Sequence, residues 1–328
     1  MSTYAQPDGT LKGGRRSSPR SWRWSDRIVL VLAWAVGILL CAIAAGIVVY
    51  LAVQGIRYLS PTLVFSRPQT SASQAGSGGF LDPLLGTCML ALIGTAVAVP
   101  LAVCAALWIV EYGRPSWLAR VVESTIEVIA GTPDIVIALF GLSVFELGVF
   151  APLSFTSEKG GVFGQSLVIA GIMMSLLAIP PIFAASRDGL QQVPVHLREA
   201  AFALGKTRIT TIRRVLLPRV RSNISTGVTL GISRIIGDTA IVLLLAGGTL
   251  RIETQGGVPV LNVLRGTTGS LTTYVYENSP AGEGGAPQKA YAAAFVLLMF
   301  VLVLNLTVER IGRRDAANSG AALTQGVV

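Results

Sequence analysis

Residues 187–221 read RDGLQQVPVHLREAAFALGKTRITTIRRVLLPRVR, a polar and strongly basic segment between two apolar runs. It carries eight Lys or Arg residues against two acidic ones, Asp188 and Glu199. The runs on either side are apolar enough to lie in lipid. Between two membrane spans, such a segment can fold as a compact unit, small on one side and basic on the other, that fits the groove of a partner protein.

Two short helices are predicted within this segment. Pro194 suits the first turn of the first helix, and small or apolar residues repeat at helical spacing. The repeats form two stripes: Leu197, Ala201 and Leu204, then Ile209, Ile212 and Leu216. Gly205 lies between the stripes, where a turn with positive φ would favour a residue without a Cβ. The segment is therefore predicted to form a helix–turn–helix.

The composition is that of a membrane protein. Of the 328 residues, 52% are apolar and 13% are charged, whereas soluble proteins average roughly 25% charged residues. Cys41, Cys88 and Cys104 lie in apolar runs without the spacing of a disulfide or metal site, and His196 is the single histidine. We therefore predict no metal site and no catalytic residue in this chain.

One segment resembles a nucleotide-binding loop and is rejected as one. Residues 200–207 read AAFALGKT, which lacks the first glycine that lets a P-loop wrap backbone amides around phosphates. No strand-like pattern precedes it. Any energy from ATP must therefore enter through a partner, and no cofactor is predicted to bind this chain.

Six apolar runs predict six transmembrane helices, since each is close to the roughly 20 residues that cross the hydrocarbon. Their ranges are 28–53, 84–110, 122–150, 162–185, 224–245 and 290–308. The first is longer than the core of a signal peptide, about 7–15 residues, and is predicted to be retained. The third is interrupted at 131–134, where Pro133 removes a backbone hydrogen bond. A basic, disordered tail is predicted over 1–27 and a second polar tail over 311–328.

The distribution of charge sets the predicted orientation. Six spans put both termini, the loop between the second and third spans and residues 187–221 on one side, where 19 Lys and Arg residues lie. The opposite loops, including 54–81 and 249–289, hold six. The positive-inside rule therefore places both termini and residues 187–221 in the cytoplasm. Topology accounts for most of the net charge of +9, so no nucleic-acid partner is predicted.

Arg234 and Asp238 are charges within the predicted fifth span. Four residues apart, they would share a face of one helix, and charges at membrane depth usually face a bundle interior or a water-filled path. Two interpretations stay open. The pair is an internal salt bridge that fixes helix packing, or Arg234 lines an anion path and Asp238 holds it until substrate or a conformational change releases it. Glu127 and Asp134 could pair with other basic groups, and Asp134 is expected near a helix start without a ligand role.

The basic segment also carries a motif. Glu199-Ala200-Ala201, then Gly205 and Val215-x-Leu217-Pro218, resemble the EAA loop of the permease subunits of bacterial ABC importers. The resemblance implies an all-α integral membrane protein with the six-helix fold of type I importer permeases, in which residues 28–53 form the first transmembrane helix and residues 82–310 the permease domain. It also implies that the cytoplasmic EAA loop at 187–221 contains a coupling helix that docks on a separate ATPase. The residues implied in ATPase coupling are Glu199, Ala200, Ala201, Gly205 and Pro218.

Other motifs resemble the phosphate-specific branch of that family. They are Gly86-Thr87, Glu111-Tyr112, Ala130-Gly131-Thr132-Pro133 and Arg234-Ile235-Ile236-Gly237-Asp238-Thr239-Ala240. The usual form of the last is R-x-x-G-E-T-A, so Asp238 is a shortened carboxylate here. Residues 271–280, LTTYVYENSP, resemble the A-type permease rather than the C-type. The candidates for the substrate path are Arg234, Asp238 and Thr239.

The resemblance implies a multi-pass protein of the bacterial cytoplasmic membrane that carries phosphate inward. Its partners would be a second, C-type permease, a dimer of cytoplasmic ATPase subunits that hold ATP and Mg, and an extracytoplasmic phosphate-binding protein. The loops 54–81 and 249–289 would lie on the outer side, where they could touch that binding protein.

Three alternatives stay open at this point. A permease for sulfate, molybdate or phosphonate would look similar, because one arginine in a span cannot identify an anion. A membrane enzyme is disfavoured because the sequence has no H-E-x-x-H or G-x-S-x-G motif. A membrane-anchored scaffold would not need Pro133, Arg234 and Asp238 at membrane depth.

Overall fold

The computed structural model describes residues 24–68, 78–113, 115–154, 164–247, 252, 259–282 and 284–325. Contacts divide the chain into two units, residues 1–52 and 53–328. Helix α1 (Trp24–Tyr58) begins in the first unit and ends in the second. The described residues are mostly helical, and one isolated β-bridge joins Gly247 to Thr268. The all-α prediction is confirmed.

The remaining helices follow in chain order. They are α2 (Pro61–Phe65), α3 (Leu81–Leu107), α4 (Ser116–Gly131), α5 (Asp134–Phe145), α6 (Leu167–Gln191), α7 (Val195–Ala203), α8 (Arg208–Thr211), α9 (Leu217–Gly237), α10 (Pro259–Arg265), α11 (Leu271–Asn278) and α12 (Pro287–Gln325). Three π-helical turns adjoin them, at Trp108–Tyr112, Ile212–Leu216 and Val242–Ala246, and a 3-10 turn covers Gly148–Leu153.

Helices α3, α6 and α9 form the core of the second unit, and α12 packs on α9. Small residues at the crossings let the backbones approach closely, as in other membrane bundles. Gly171 of α6 lies against Ile93 of α3, and Gly231 of α9 lies against Ile182 of α6. The three helices therefore form a closely packed group to which the shorter helices attach.

Among the residues that the structure describes, four helical segments are long and apolar enough to cross a membrane. They are Asp26–Tyr58, Leu81–Tyr112, Leu167–Gln191 and Pro287–Arg310. Helices α4 and α5 are bent by 109° at a short break and add a fifth span if the pair counts as one. The predicted interruption of the third span is confirmed, because α4 ends at Gly131 and α5 begins at Asp134. The count of six spans stays a prediction.

The predicted fifth span, 224–245, is not one continuous helix. Helix α9 ends at Gly237, and Asp238 has an extended backbone (φ −77°, ψ 138°) ahead of the π-helical turn that begins at Val242. The prediction that Arg234 and Asp238 share a helical face is therefore wrong, because the helix ends between them.

Helix α11 and the start of α12 form a smaller cluster against the N-terminal end of α3. Ser270 caps α11, and the Leu271 N–H donates to Thr87 Oγ1 at 2.9 Å. The Tyr274 ring is buried with its centroid 5.7 Å from that of Phe80. These contacts tie the segment before α12 to the beginning of α3.

Candidate functional site

The turn between α7 and α8 has the shape that the sequence predicts. Gly205 has a φ of +71°, in the left-handed region that favours glycine. Its N–H donates to the Phe202 carbonyl at 2.9 Å, and the Lys206 N–H donates to the Ala201 carbonyl at 3.1 Å. Together these bonds form a Schellman cap, which ends α7 and redirects the chain toward α8.

The Gly205-Lys206-Thr207 sequence follows helix α7 and not a strand. Thr207 caps the next helix instead: its Oγ1 accepts a hydrogen bond from the Thr210 N–H at 3.3 Å. A P-loop requires a strand before the loop and a helix after it. The backbone therefore lacks the arrangement that would cradle phosphates, which agrees with the rejection of nucleotide binding.

One face of this helix–turn–helix is apolar and exposed. Glu199 and Ala200 are exposed. Four large apolar side chains of the same segment are between 44% and 78% exposed: Val195, Phe202, Leu204 and Ile209. We call these six residues the coupling surface, after the role in ATPase coupling that the sequence predicts for Glu199 and Ala200. Large exposed apolar side chains grouped on one segment are typical of a surface that a partner covers.

Two of the residues assigned to coupling lie away from this surface. Ala201 is 6% exposed and packs inside the loop. Pro218 is half-buried at the second position of α9. Their part in coupling stays a prediction, and their positions indicate that it would act through packing within the chain.

Arg198 fixes α7 to the helices behind it. Its Nε donates to Glu111 Oε1 at 2.9 Å, and its two Nη atoms donate to the carbonyls of Val193 at 3.1 Å and Leu190 at 2.9 Å. The Arg198 and Glu111 side chains are only 17% and 12% exposed. One guanidinium therefore joins α7 to the end of α6 and to the π-helical turn after α3. Charge-assisted bonds of this length are among the stronger ones in proteins.

Arg208 attaches α8 to the same turn. Its Nη1 donates to the Glu111 carbonyl at 3.3 Å, and its guanidinium carbon lies 5.6 Å from the centre of the Tyr112 ring. The helices on both sides of Gly205 are thus held by residues 111 and 112. The coupling surface is connected to the adjacent end of α3 at two points.

Within the predicted spans, Arg234 pairs with Asp134 and not with Asp238. Its Nη2 donates to Asp134 Oδ1 at 3.2 Å, and the two side chains are 39% and 37% exposed. Asp134 is the first residue of α5, directly after the bend. The ion pair therefore joins the α4–α5 bend to α9.

Asp238 binds backbone groups instead. Its Oδ2 accepts a hydrogen bond from the Ile241 N–H at 2.8 Å, and its carbonyl accepts one from Thr272 Oγ1 at 3.0 Å. A carboxylate caps the start of a helical segment in this way. Thr239 is half-buried, and its carbonyl accepts a bond from the Leu243 N–H at 2.9 Å. Asp238 and Thr239 thus shape the break after α9.

The sequence did not reveal the partners of the two arginines. Arg198 and Glu111 are 87 residues apart, and Arg234 and Asp134 are 100 apart. Helical periodicity reports neighbours three or four positions away and carries no signal over such distances. The available signal was the presence of isolated carboxylates in or beside apolar runs, since such groups usually have a basic partner.

A family model matches most of the chain. Residues 98–314 match the family described as "Binding-protein-dependent transport system inner membrane component". "Phosphate transport system permease protein PstA 1" of Mycobacterium tuberculosis (strain ATCC 25618 / H37Rv) is 34% identical over 235 residues, which cover 72% of this chain and 70% of the relative. "Phosphate transport system permease protein PstA" of Yersinia pestis is 29% identical over 308 residues, covering 91% and 94%. "Phosphate transport system permease protein PstC" of Xylella fastidiosa (strain 9a5c) is 31% identical over 240 residues, covering 69% of each.

Solved structures of ABC transporters share the fold. A bacterial alginate ABC transporter in complex with an alginate pentasaccharide-bound periplasmic protein superposes with a TM-score of 0.59 at 19% identity, over 90% of this chain and 98% of that one. An inward-facing form of the MetNI methionine ABC transporter gives 0.52 at 18% identity, over 72% and 94%. At these identities the likeness concerns the fold alone.

Proposed function

The chain belongs to the family of binding-protein-dependent transport system inner membrane components, and on that premise we propose that it is a permease subunit of an ATP-driven phosphate importer. It is a transporter subunit of the inner membrane and not an enzyme. Under the proposal both of its termini lie in the cytoplasm, and ATP is hydrolysed by a partner subunit.

The assignment of phosphate rests on the relatives. The three described above are named as permeases of phosphate transport systems, and the first is 34% identical. The A-type assignment is favoured because the alignment to the Yersinia pestis PstA extends over 91% of this chain, against 69% for the PstC relative.

The coupling surface is the observation that best supports an ATP-driven mechanism. It is apolar, exposed and braced from behind by a partly buried ion pair between Arg198 and Glu111. A nine-residue helix such as α7 is not stable in water on its own. We propose that the ATPase dimer docks on this surface and that its closure moves α3 and α6 through Arg198.

The anion path is proposed to run past Arg234. An arginine that is 39% exposed within a membrane span faces water or another subunit, because burying its charge in lipid is costly. A guanidinium suits a tetrahedral oxyanion, since its planar fork donates two hydrogen bonds at once. The path would be shared with a C-type permease and supplied by an extracytoplasmic phosphate-binding protein.

A permease for another oxyanion is the second candidate. Arg234 could bind sulfate, molybdate or phosphonate by the same geometry, so the arginine alone does not select phosphate. A membrane enzyme or a scaffold would leave the coupling surface without a use.

Uptake by the reconstituted complex tests the proposal. This chain, its partner permease, the ATPase subunits and the binding protein are placed in liposomes, and entry of radiolabelled phosphate or sulfate is followed with ATP supplied. We expect ATP-dependent uptake of phosphate. Uptake of sulfate without phosphate would overturn the substrate assignment and leave the permease function in place.

Glu199→Lys tests the coupling surface in the same system. We expect the variant to insert normally and to lose phosphate-stimulated ATP hydrolysis, because a reversed charge lies on the docking face. Glu146→Lys is the matched control, since Glu146 is exposed at the far end of α5. Normal stimulated hydrolysis in Glu199→Lys would contradict the docking assignment.

A further inference from the structure

Arg234 is only partly satisfied by the described part of the chain. Its one described hydrogen bond runs from Nη2 to Asp134 Oδ1 at 3.2 Å, whereas a guanidinium carries five N–H donors in a planar fork. More than a third of each side chain is exposed. The fork is therefore occupied at one position and open to a second ligand at others.

The charges around Arg234 do not favour an anion in the conformation seen here. Asp238 lies within electrostatic range of both Arg234 and Asp134. When all three groups are ionised, two carboxylates and one guanidinium sum to a net charge of −1. A phosphate ion that approached Arg234 would be repelled by Asp134 and Asp238 together.

Of the two carboxylates, Asp134 is the one that can withdraw. Asp238 is 8% exposed and holds the Ile241 N–H at 2.8 Å, so it is fixed by the break after α9. Asp134 belongs to a different helix, directly after the 109° bend between α4 and α5. A rotation of α5 relative to α9 would separate Asp134 from Arg234 and leave Asp238 in place.

We propose that the Asp134 carboxylate is an internal substitute for the transported anion. It occupies Arg234 in this conformation, and it leaves when the helices move to the state that binds phosphate. This inference rests on the proposed function. It assigns to Asp134 the role of setting the affinity of the path for phosphate, a role that the sequence alone does not indicate.

Asp134→Asn tests the proposal, because it removes the charge and keeps the shape. Inorganic phosphate is titrated into the purified complex of both permeases and the ATPases without the binding protein, so that the path alone is measured. We expect phosphate to bind at least five-fold more tightly than to the wild-type complex. Maximal uptake in the complete system should fall, since a tighter site releases its ion more slowly.

Matched variants separate this role from a packing role. Asp134→Glu should restore wild-type affinity, and Asp134→Ser, which also removes the charge and keeps a polar oxygen at this position, should behave as Asp134→Asn. Glu127→Gln removes an exposed carboxylate from α4 and should change nothing. If Asp134→Asn fails to assemble, the Asp134→Ser complex decides the question. Unchanged or weaker phosphate binding in the assembled variant would overturn the proposal.

The double variant Arg234→Gln/Asp134→Asn also distinguishes a packing role of the ion pair from a role in anion binding. If the ion pair only fixes helix packing, then Asp134→Asn should restore the uptake that Arg234→Gln removes, since a neutral pair replaces an ionic one. Our proposal expects no recovery, because the anion has lost its guanidinium. A wild-type complex that takes up no phosphate would instead overturn the proposed function, whatever the Asp134 variants do.

Discussion

Gly205 is the residue that most directly determines the shape of the turn between α7 and α8. Its φ of +71° is in a region that other residues enter at a cost, and nothing lies within 4 Å of the position a Cβ would take. We expect Gly205→Ala to cost about 1 kcal/mol of backbone strain and no steric clash. ATPase binding should weaken by at most about five-fold, a limit that is reached if the strained turn relaxes in the free permease and must be restored on docking.

Gly205→Pro should abolish coupling, because proline cannot adopt this φ and removes the N–H that bonds the Phe202 carbonyl. The measurement is ATPase binding to the purified permease pair. Gly148→Ala is the control, since that glycine also has free space around it and lacks a positive φ. Equal binding by Gly205→Pro and wild type would show that the turn is not part of the docking unit.

The stability of the cluster around α11 is expected to depend on pH through Glu277. The side chain is half-buried, and burial raises the pKa of its carboxyl above the ordinary value. A carboxyl with a raised folded-state pKa contributes stability below its unfolded pKa, and that stability is lost as pH rises through the folded pKa. Glu277→Gln should therefore protect residues 271–278 from hydrogen exchange better than wild type at pH 7.

The difference should vanish near pH 4, where both side chains are neutral. Each pH is compared with wild type under the same conditions, so the intrinsic exchange rate cancels. Glu146→Gln, at an exposed position, is the control. Greater protection of wild type at pH 7 would mean that ionised Glu277 has a stabilising partner.

The conformation of a single residue could be predicted from the sequence where it depends on neighbouring residues in the chain. It could not be predicted where it depends on packing between distant helices. The positive φ of Gly205 follows from its place between two helical stripes. The role of Asp238 was missed because helical periodicity was continued through Gly237. Yet an aspartate three residues before Ile241 is itself a capping signal. The Asp134–Arg234 pair depends on how α5 meets α9, which no local pattern contains.

At the scale of elements, the position of α7 is stabilised more by the bonds of Arg198 than by the burial of its apolar side chains. Arg198→Ala would leave the Glu111 carboxylate, which is 12% exposed, without its ionic partner. We expect a cost of about 3 kcal/mol, because an unpaired buried charge is strongly destabilising. Glu111→Gln keeps an oxygen acceptor for Nε, and Arg198 keeps its bonds to the Val193 and Leu190 carbonyls, so the cost should be smaller, about 1.5 kcal/mol.

This effect is measured by the hydrogen-exchange protection of residues 195–211 and by the rate of phosphate-stimulated ATP hydrolysis. We expect both the protection and the rate to fall far more in Arg198→Ala than in Glu111→Gln. Arg187→Ala is the control, because its pair with Glu123 at 3.4 Å is more exposed, at 34% and 27%, and such pairs contribute little. Equal damage from Arg187→Ala would remove the special role of Arg198.

The elements themselves were predictable to different degrees. The break at 131–134 follows from Pro133, because proline cannot continue the hydrogen bonding of α4. Its angle of 109° does not, because the angle depends on how α5 packs against α6. The helices α7 and α8 were foreseen from short stripes flanked by Pro194 and Gly205, which are strong local signals.

At the scale of the whole molecule, residues 217–246 are predicted to cross the membrane. Helix α9 has 21 residues, and at 1.5 Å per residue that is about 31 Å, close to the thickness of the hydrocarbon. It is not among the four segments of the described chain that are long and apolar enough to cross. The excess of Lys and Arg does not decide the question, because loop 249–289 and the C-terminal tail carry three each, and exchanging their sides leaves 19 against six. The six-helix topology predicts that residues 217–246 cross.

Cysteine labelling tests whether residues 217–246 cross the membrane. If they cross, residues 206 and 276 lie on opposite sides, and if they do not, the two residues lie on the same side. With Cys41, Cys88 and Cys104 replaced by serine, Lys206→Cys and Tyr276→Cys are each exposed to a membrane-impermeant maleimide in spheroplasts. Both positions are exposed to solvent in this chain. We expect Tyr276→Cys to react from outside and Lys206→Cys only after permeabilisation.

The C-terminal tail supplies the internal check. Ser319→Cys should react on the same side as Lys206→Cys, because two crossings separate them if α9 and α12 both span the membrane. If Lys206→Cys and Tyr276→Cys react from the same side, residues 217–246 re-enter the membrane without crossing it. Arg234 would then lie in a loop that returns to the cytoplasm, and an anion path through the membrane would have to be built from other residues.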